Sequence, residues 1–317
     1  MTEHSLAHGL EWSTYEVAAD LAAGTVPVRI GEVGAGGPVG VLLASVHGDE
    51  GPWGTLAINE MLAVAQRDEL LGTLRVVPVA HPLATAADAR QTDLDLLDLN
   101  SSFPGNPHGS HTQRLAAVLA EHALDGSDVV LDVHGGGSWN INCFTYRFPG
   151  SEELASWIRT PLIFDGPDRG AASVTGYARS QGATAVWIEM GGRGEGELER
   201  ADHVAKGLRH ALGRAGIMTP VAEHGSEPVV VKEKVALTTS SAGIYRPQIR
   251  ESGLGSVIRR GTVIGELLDP VTSSVLEQFV APYEHSVLAL LRPTVARIEA
   301  PGKPVAVVGD VSESQRG

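Results

Sequence analysis

Short runs of consecutive apolar residues recur through the first two thirds of the chain: GVLLASV at 40–46, LRVVPVA at 74–80, DVVLDV at 128–133 and ATAVWIEM at 183–190. They are rich in β-branched residues and short, which predicts strands buried on both faces of a sheet. Helical patterns lie between and after them. In ELERADHVAKGLRHALGRAG, Leu198, Ala201, Val204, Ala205, Leu208 and Leu212 form one apolar stripe, with Gly216 placed to stop the helix. Strands alternating with helices predict an α/β sheet covered by helices.

The texture changes near residue 222. Helical periodicity disappears, and strand-like runs alternate with turn residues in PVVVKEKVALTT, GLGSVIRRGTVIGELLDP, SVLEQFVAPYEHSVLALL and KPVAVVG. The expectation is an α/β unit over 1–222 and a smaller all-β domain over 223–317. VAEHGSEPVVV is too short for a flexible linker, so the β domain is expected to wall the site and not to hang from a tether. RRGTVIGEL and VAPYEHSV are similar to half-motifs of biotinyl and lipoyl domains, but no lysine lies between Lys234 and Lys303 to carry the group.

Composition narrows the function classes. A net charge of −14 argues against nucleic acid, which demands concentrated Lys and Arg, and favours small-molecule partners. No apolar run reaches the roughly 18 residues of a membrane helix. The start, MTEHSLAHGLEWSTYE, has neither a basic nor an apolar leader segment, so a cytoplasmic protein is expected. One cysteine, Cys143, excludes an intrachain disulfide and a cysteine-rich zinc cluster, so any metal must sit on His and carboxylates. Whether the chain forms a homo-oligomer is left open.

The candidate chemistry lies at the ends of the apolar runs. SVHGDEGPWG carries His47 and Glu50 out of the first run through a turn loosened by Gly48 and Gly51. By itself such an H-x-x-E is ordinarily a solvated turn. VVLDVHGGG ends another run in His134, so two strands deliver imidazoles to the carboxyl edge of the sheet, where α/β proteins bind ligands. Two His and one Glu match the ligand set of a catalytic zinc site. Asp132, two residues earlier on the same strand, is placed to orient a ligand imidazole. AVWIEMGG ends in Glu189, either a cap for the next helix or a non-ligand carboxylate that moves a proton from attacking water to the leaving nitrogen.

The ordered motifs H-G-D-E (47–50), D-L-N-S-S-F-P-G (98–105), D-V-H (132–134) and I-E-M-G-G (188–192) resemble the succinylglutamate desuccinylase and aspartoacylase family. The resemblance spans about residues 25–310 and implies a zinc carboxypeptidase-like mixed sheet flanked by helices, with a C-terminal all-β domain. It further implies one Zn2+ per chain on His47, Glu50 and His134, and Glu189 as general base and acid. Arg90 falls where the family steadies the carbonyl oxygen, and Asn100 matches a substrate-binding asparagine. Ser101 stands where the family has a carboxylate-gripping arginine, and a hydroxyl cannot make that bidentate charged contact. Arg147 or Arg193 would have to replace it from another loop; otherwise neutral or cationic substrates are accepted. Tyr245 and Tyr283 are the C-terminal tyrosines available to close the site.

The expected function is therefore a zinc-dependent amidohydrolase, a deacylase that cleaves the amide of a small N-acyl amino acid or N-acyl amine with metal-activated water. A metallocarboxypeptidase of short peptides shares the metal site. A non-catalytic binding protein of the same fold is the rival from another class.

Overall fold

The computed structural model describes residues 5–19, 24–167 and 169–312; residues 1–4 of the N-terminal stretch read for a leader, and residues 313–317 of the expected β domain, lie outside them. An antiparallel pair, β1 (Glu11–Ala18) and β2 (Thr25–Gly34), leads into β3 (Val39–Ala44) and helix α1 (Gly51–Val64). There follow β4 (Thr73–Val77), α2 (Pro82–Ala86), α3 (His111–Leu119), β5 (Val129–His134) and β6 (Ile141–Arg147). Then come α4 (Glu152–Ile158), β7 (Leu162–Asp165), α5 (Val174–Ser180), β8 (Thr184–Gly191) and α6 (Glu197–Arg214). The four apolar runs are thus β3, β4, β5 and β8. β4 stops short of the predicted run because Pro78 has no N–H for the ladder.

These four strands pair in parallel in the order β4-β3-β5-β8, with every residue of β5 buried. Alternation sorts their side chains. Leu42, Ala44, Leu131, Val133, Val186 and Ile188 pack under α1, α4 and α6. Val41, Leu43, Val130 and Ala185 face the other way, under α3 and α5. In α6 the predicted stripe holds from Ala201 to Leu212, but Leu198, in the first turn, is 64% exposed. The stop is as expected: Gly216 has φ +75, a left-handed turn suited to glycine. The strand-rich β1 and β2, not anticipated in the sequence, add to the β4 edge.

Beyond α6 the chain is strand and turn: β9 (Val229–Val231), β10 (Lys234–Thr238), β11 (Gly243–Pro247), β12 (Val257–Arg259), β13 (Val263–Leu268), β14 (Val275–Val280), β15 (His285–Leu291), β16 (Ala296–Ile298) and β17 (Pro304–Asp310). β14, β13, β11 and β16 form a separate small sheet. β15, β17 and β10 instead extend the main sheet, through Leu290 opposite Asn142 and Leu291 opposite Ile141 on β6. The C-terminal segment is therefore built into the backbone ladder that carries the site. No helix of the described residues is long and apolar enough to cross a membrane.

Candidate metal centre

The turn after β3 is shaped by close packing. Ser45 takes a left-handed φ of 57, which breaks the strand. Gly48 lies so near the α2 backbone that a Cβ there would sit 2.0 Å from the Ala84 carbonyl carbon. This turns the chain back over the carboxyl edge, and Gly48–Glu50 forms one 3-10 turn before α1. His47 and Glu50 are thereby brought above His134, the last residue of β5.

Both imidazoles converge on one oxygen: Glu50 Oε2 lies 2.8 Å from His134 Nδ1 and 2.9 Å from His47 Nδ1. His47 Nδ1 has no hydrogen-bond partner among the described residues despite that proximity, and it is buried. The opposite ring nitrogens are held by carboxylates. His134 Nε2 is 3.0 Å from Asp132 Oδ2, and His47 Nε2 is 3.2 Å from Asp98 Oδ1. Carboxylates behind two imidazoles whose front nitrogens share a third carboxylate make a donor set suited to a divalent ion. The ligand atoms of His47, Glu50 and His134 all lie within 4.8 Å of one another.

The electrostatics reflect a crowd of charges. Burial would raise the Glu50 pKa, but the facing imidazoles outweigh it and hold it below the ordinary value. Burial would lower that of His134, yet Asp132 and Glu50 lift it to about 10. Any metal must therefore displace protons from this cluster. Arg90 bridges two of its acids, Nη1 to Glu50 Oε1 at 3.2 Å and Nη2 to Asp98 Oδ2 at 2.9 Å.

Register places the other groups. His134 is opposite Glu189, Asp132 opposite Trp187, Phe144 opposite Glu189 and Tyr146 opposite Trp187, so all share one sheet face. Glu189 is buried and accepts a hydrogen bond from Asn142 Nδ2. Its pKa is raised to about 8, first by burial and then by the Glu50 charge; a cation in the cluster acts in the opposite sense. Trp187 stacks at a tilt on His134, with 4.8 Å between centroids.

Asn100 lies in the turn that carries Asp98, and the remaining sequence candidates lie farther from the cluster. Asn100 is buried, and its Oδ1 accepts the Val174 N–H at 2.9 Å, which ties the D-L-N turn to the start of α5; its Nδ2 has no partner among the described residues. Ser101 is exposed. Arg147 is on the sheet face opposite to Tyr146 and is ion-paired with Asp165 at 2.8 Å. Arg193 pairs with Asp88. Tyr245 is enclosed in the C-terminal core beside Phe279, and Tyr283 packs near Glu233 and Asp310, so neither contacts the cluster. Asp98 and Asn142 were missed in the sequence; the one signal was a lone inward-facing amide in the apolar run INCF. A groove of about 750 Å³ between α1 and α6 holds none of these groups.

His81, in the turn after β4, is fully buried with neither ring nitrogen partnered among the described residues. Burial first, and the neighbouring His111 second, push its pKa down to about 4. At pH 7 it is neutral whether folded or not. As pH falls the unfolded chain takes up a proton near 6.5 and the folded chain does not until about 4, so stability declines across that window by up to about 3 kcal/mol. Urea unfolding at pH 7 and pH 5 should show this loss, and His81→Gln should have a shallower pH slope. Equal slopes would acquit His81.

The chain is similar to known proteins over most of its length. Residues 37–214 match the model of the succinylglutamate desuccinylase/aspartoacylase catalytic domain. It is 28% identical to an N-alpha-acetyl-L-2,4-diaminobutyric acid deacetylase of Halomonas elongata, over 91% of this chain and 86% of that one. Its fold is similar to the product-bound ectoine utilization protein EutE of Ruegeria pomeroyi, with TM-score 0.81, 23% identity and 95% of each chain covered. A succinylglutamate desuccinylase/aspartoacylase of Rhodobacter sphaeroides gives TM-score 0.79 at 22% identity, again covering 95% of each chain.

Proposed function

The chain belongs to the succinylglutamate desuccinylase/aspartoacylase family, and from that premise we propose that it is a zinc-dependent deacylase hydrolysing the amide bond of a small N-acyl amino acid. The observation that carries the reading is the meeting of His47 Nδ1 and His134 Nδ1 on one Glu50 oxygen, with Glu189 on the same sheet face. The ligands in this reading are His47, Glu50 and His134. Zinc, when bound, supplies Lewis acidity to the acyl carbonyl and to water.

The remaining steps fall to the chain's own groups. Glu189 takes the proton of the attacking water and delivers it to the leaving nitrogen, a role suited to a carboxyl whose pKa burial has raised toward neutrality. Asn142 holds one Glu189 oxygen and so leaves the other for proton transfer. Arg90, fixed by Glu50 and Asp98 with its side chain 44% exposed, offers positive charge to the carbonyl oxygen as it becomes an oxyanion. Asn100 contributes its unpartnered Nδ2 to the substrate's amino-acid portion.

A substrate panel of N-acetyl amino acids, N-acetyl amines and dipeptides tests the reading, with Nα-acetyl-L-2,4-diaminobutyric acid first because of the Halomonas relative. Release of acetate from N-acetyl amino acids is expected. Dipeptide cleavage without any deacylation would replace the deacylase with a carboxypeptidase.

A further inference from the structure

One edge of β6 serves two partners. β8 runs along the opposite edge from Asn142 to Tyr146, so the pairings of Asn142 with Leu290 on β15 and of Phe144 with Leu162 on β7 both fall on the remaining one. The sheet therefore splits at Cys143. One branch is β7 followed by β9, and the other is β15 flanked by β12 and β17. A pocket of about 540 Å³ lies in this fork, walled by Leu162 and Val229 from one branch and by Val257, Val287 and Val311 from the other. Its size is that of a small-molecule site, and no residue of the metal cluster lines it.

The polar end of the fork is made by Arg159, His203, Ser226 and Glu227. Arg159 is buried, with Nη2 2.8 Å from Glu223 Oε2 and Nη1 2.6 Å from Glu227 Oε1. Two carboxylates on one guanidinium leave this end with a net negative charge. Glu227 gives Arg159 one oxygen, and its side chain remains 77% exposed. His203 Nε2 donates to the Arg159 carbonyl at 2.7 Å, which makes Nδ1 the acceptor of the neutral ring. Ser226 adds a hydroxyl. Acceptors and negative charge at one end, with aliphatic walls along the rest, complement a cationic head on a hydrocarbon chain.

We propose that the fork of the sheet is a second binding site, distinct from the metal centre, for a short primary alkylammonium ion. The three N–H donors of the ammonium are matched in number by the Glu227 carboxylate, His203 Nδ1 and the Ser226 hydroxyl, and the alkyl chain lies along the valines. An alkylcarboxylate of the same length does not fit. Its head group would meet Glu227, while Arg159 is already held by two acids. An α-amino acid fails for the same reason.

Isothermal titration of the full-length protein with n-butylammonium and n-hexylammonium chloride tests the site. Affinity should rise roughly tenfold from butyl to hexyl, about fourfold for each methylene buried. Hexanoate should bind at least ~10-fold more weakly than hexylammonium, and Glu227→Gln should weaken hexylammonium by about tenfold, the scale of a lost charge-assisted hydrogen bond. Val257 is 45% exposed, so Val257→Trp should fold, fill the fork and remove binding. Glu50→Gln, in the metal centre, should leave it intact. Binding that survives Val257→Trp, disappears in Glu50→Gln or favours hexanoate overturns the assignment, as does a wild type that binds neither amine. Should Val257→Trp fail to fold, unchanged affinity in Glu227→Gln overturns it.

Discussion

Glu189→Gln should retain metal and lose between ~100-fold and ~10,000-fold in turnover, the range expected when a general acid–base group is removed. Glutamine keeps the shape and can still accept from Asn142 Nδ2, so the fold around β8 has no reason to shift. What it lacks is a site for a proton. The loss should fall on kcat with KM little changed, because the substrate's binding contacts remain. Steady-state kinetics beside metal analysis checks both halves. Near-normal turnover would reduce Glu189 to a buried strand-end carboxylate with no part in the reaction.

His134→Ala should empty the metal site and abolish activity. In the purified wild type, elemental analysis should find about one zinc per chain, the stoichiometry of a single two-His, one-carboxylate site. The substitution removes one ligand. It also strands Asp132, fully buried and 3.0 Å from the lost Nε2, as an uncompensated charge at a cost of about 3–5 kcal/mol. Low yield is therefore expected, and Glu50→Gln provides the gentler version: same volume, one anionic ligand fewer. Metal content near wild type in folded Glu50→Gln would mean that the ion is held elsewhere.

Much of this arrangement was legible in the sequence because its signal is local. β5 is a short apolar run that ends in His134, His47 follows β3 by three residues, Glu189 lies near the end of β8, and strand periodicity alone puts Asp132 and His134 on one face. The invisible parts depend on contacts between distant segments. Asp98 reaches His47 only because the D-L-N turn folds back over the edge of the sheet. Asn142 meets Glu189 only because β6 runs antiparallel to β8, which no spacing reports. Leu198 fits the helical stripe, but periodicity cannot tell that the first turn of α6 leaves it exposed. Arg147 is a plain arginine in sequence, and only the fold shows that Asp165 holds it on the sheet face away from Tyr146.

The pairing of Leu290 and Leu291 with Asn142 and Ile141 has a consequence for the chain's birth. Synthesis runs from the N-terminus, so every residue assigned here to metal, proton or substrate emerges from the ribosome before β15 does. Until then the Asn142 end of β6 has an open edge where β15 will pair, and the amide that steadies Glu189 sits on an unfinished strand. A chain that stops before β15 is therefore expected to hold Glu189 less firmly than one that carries it.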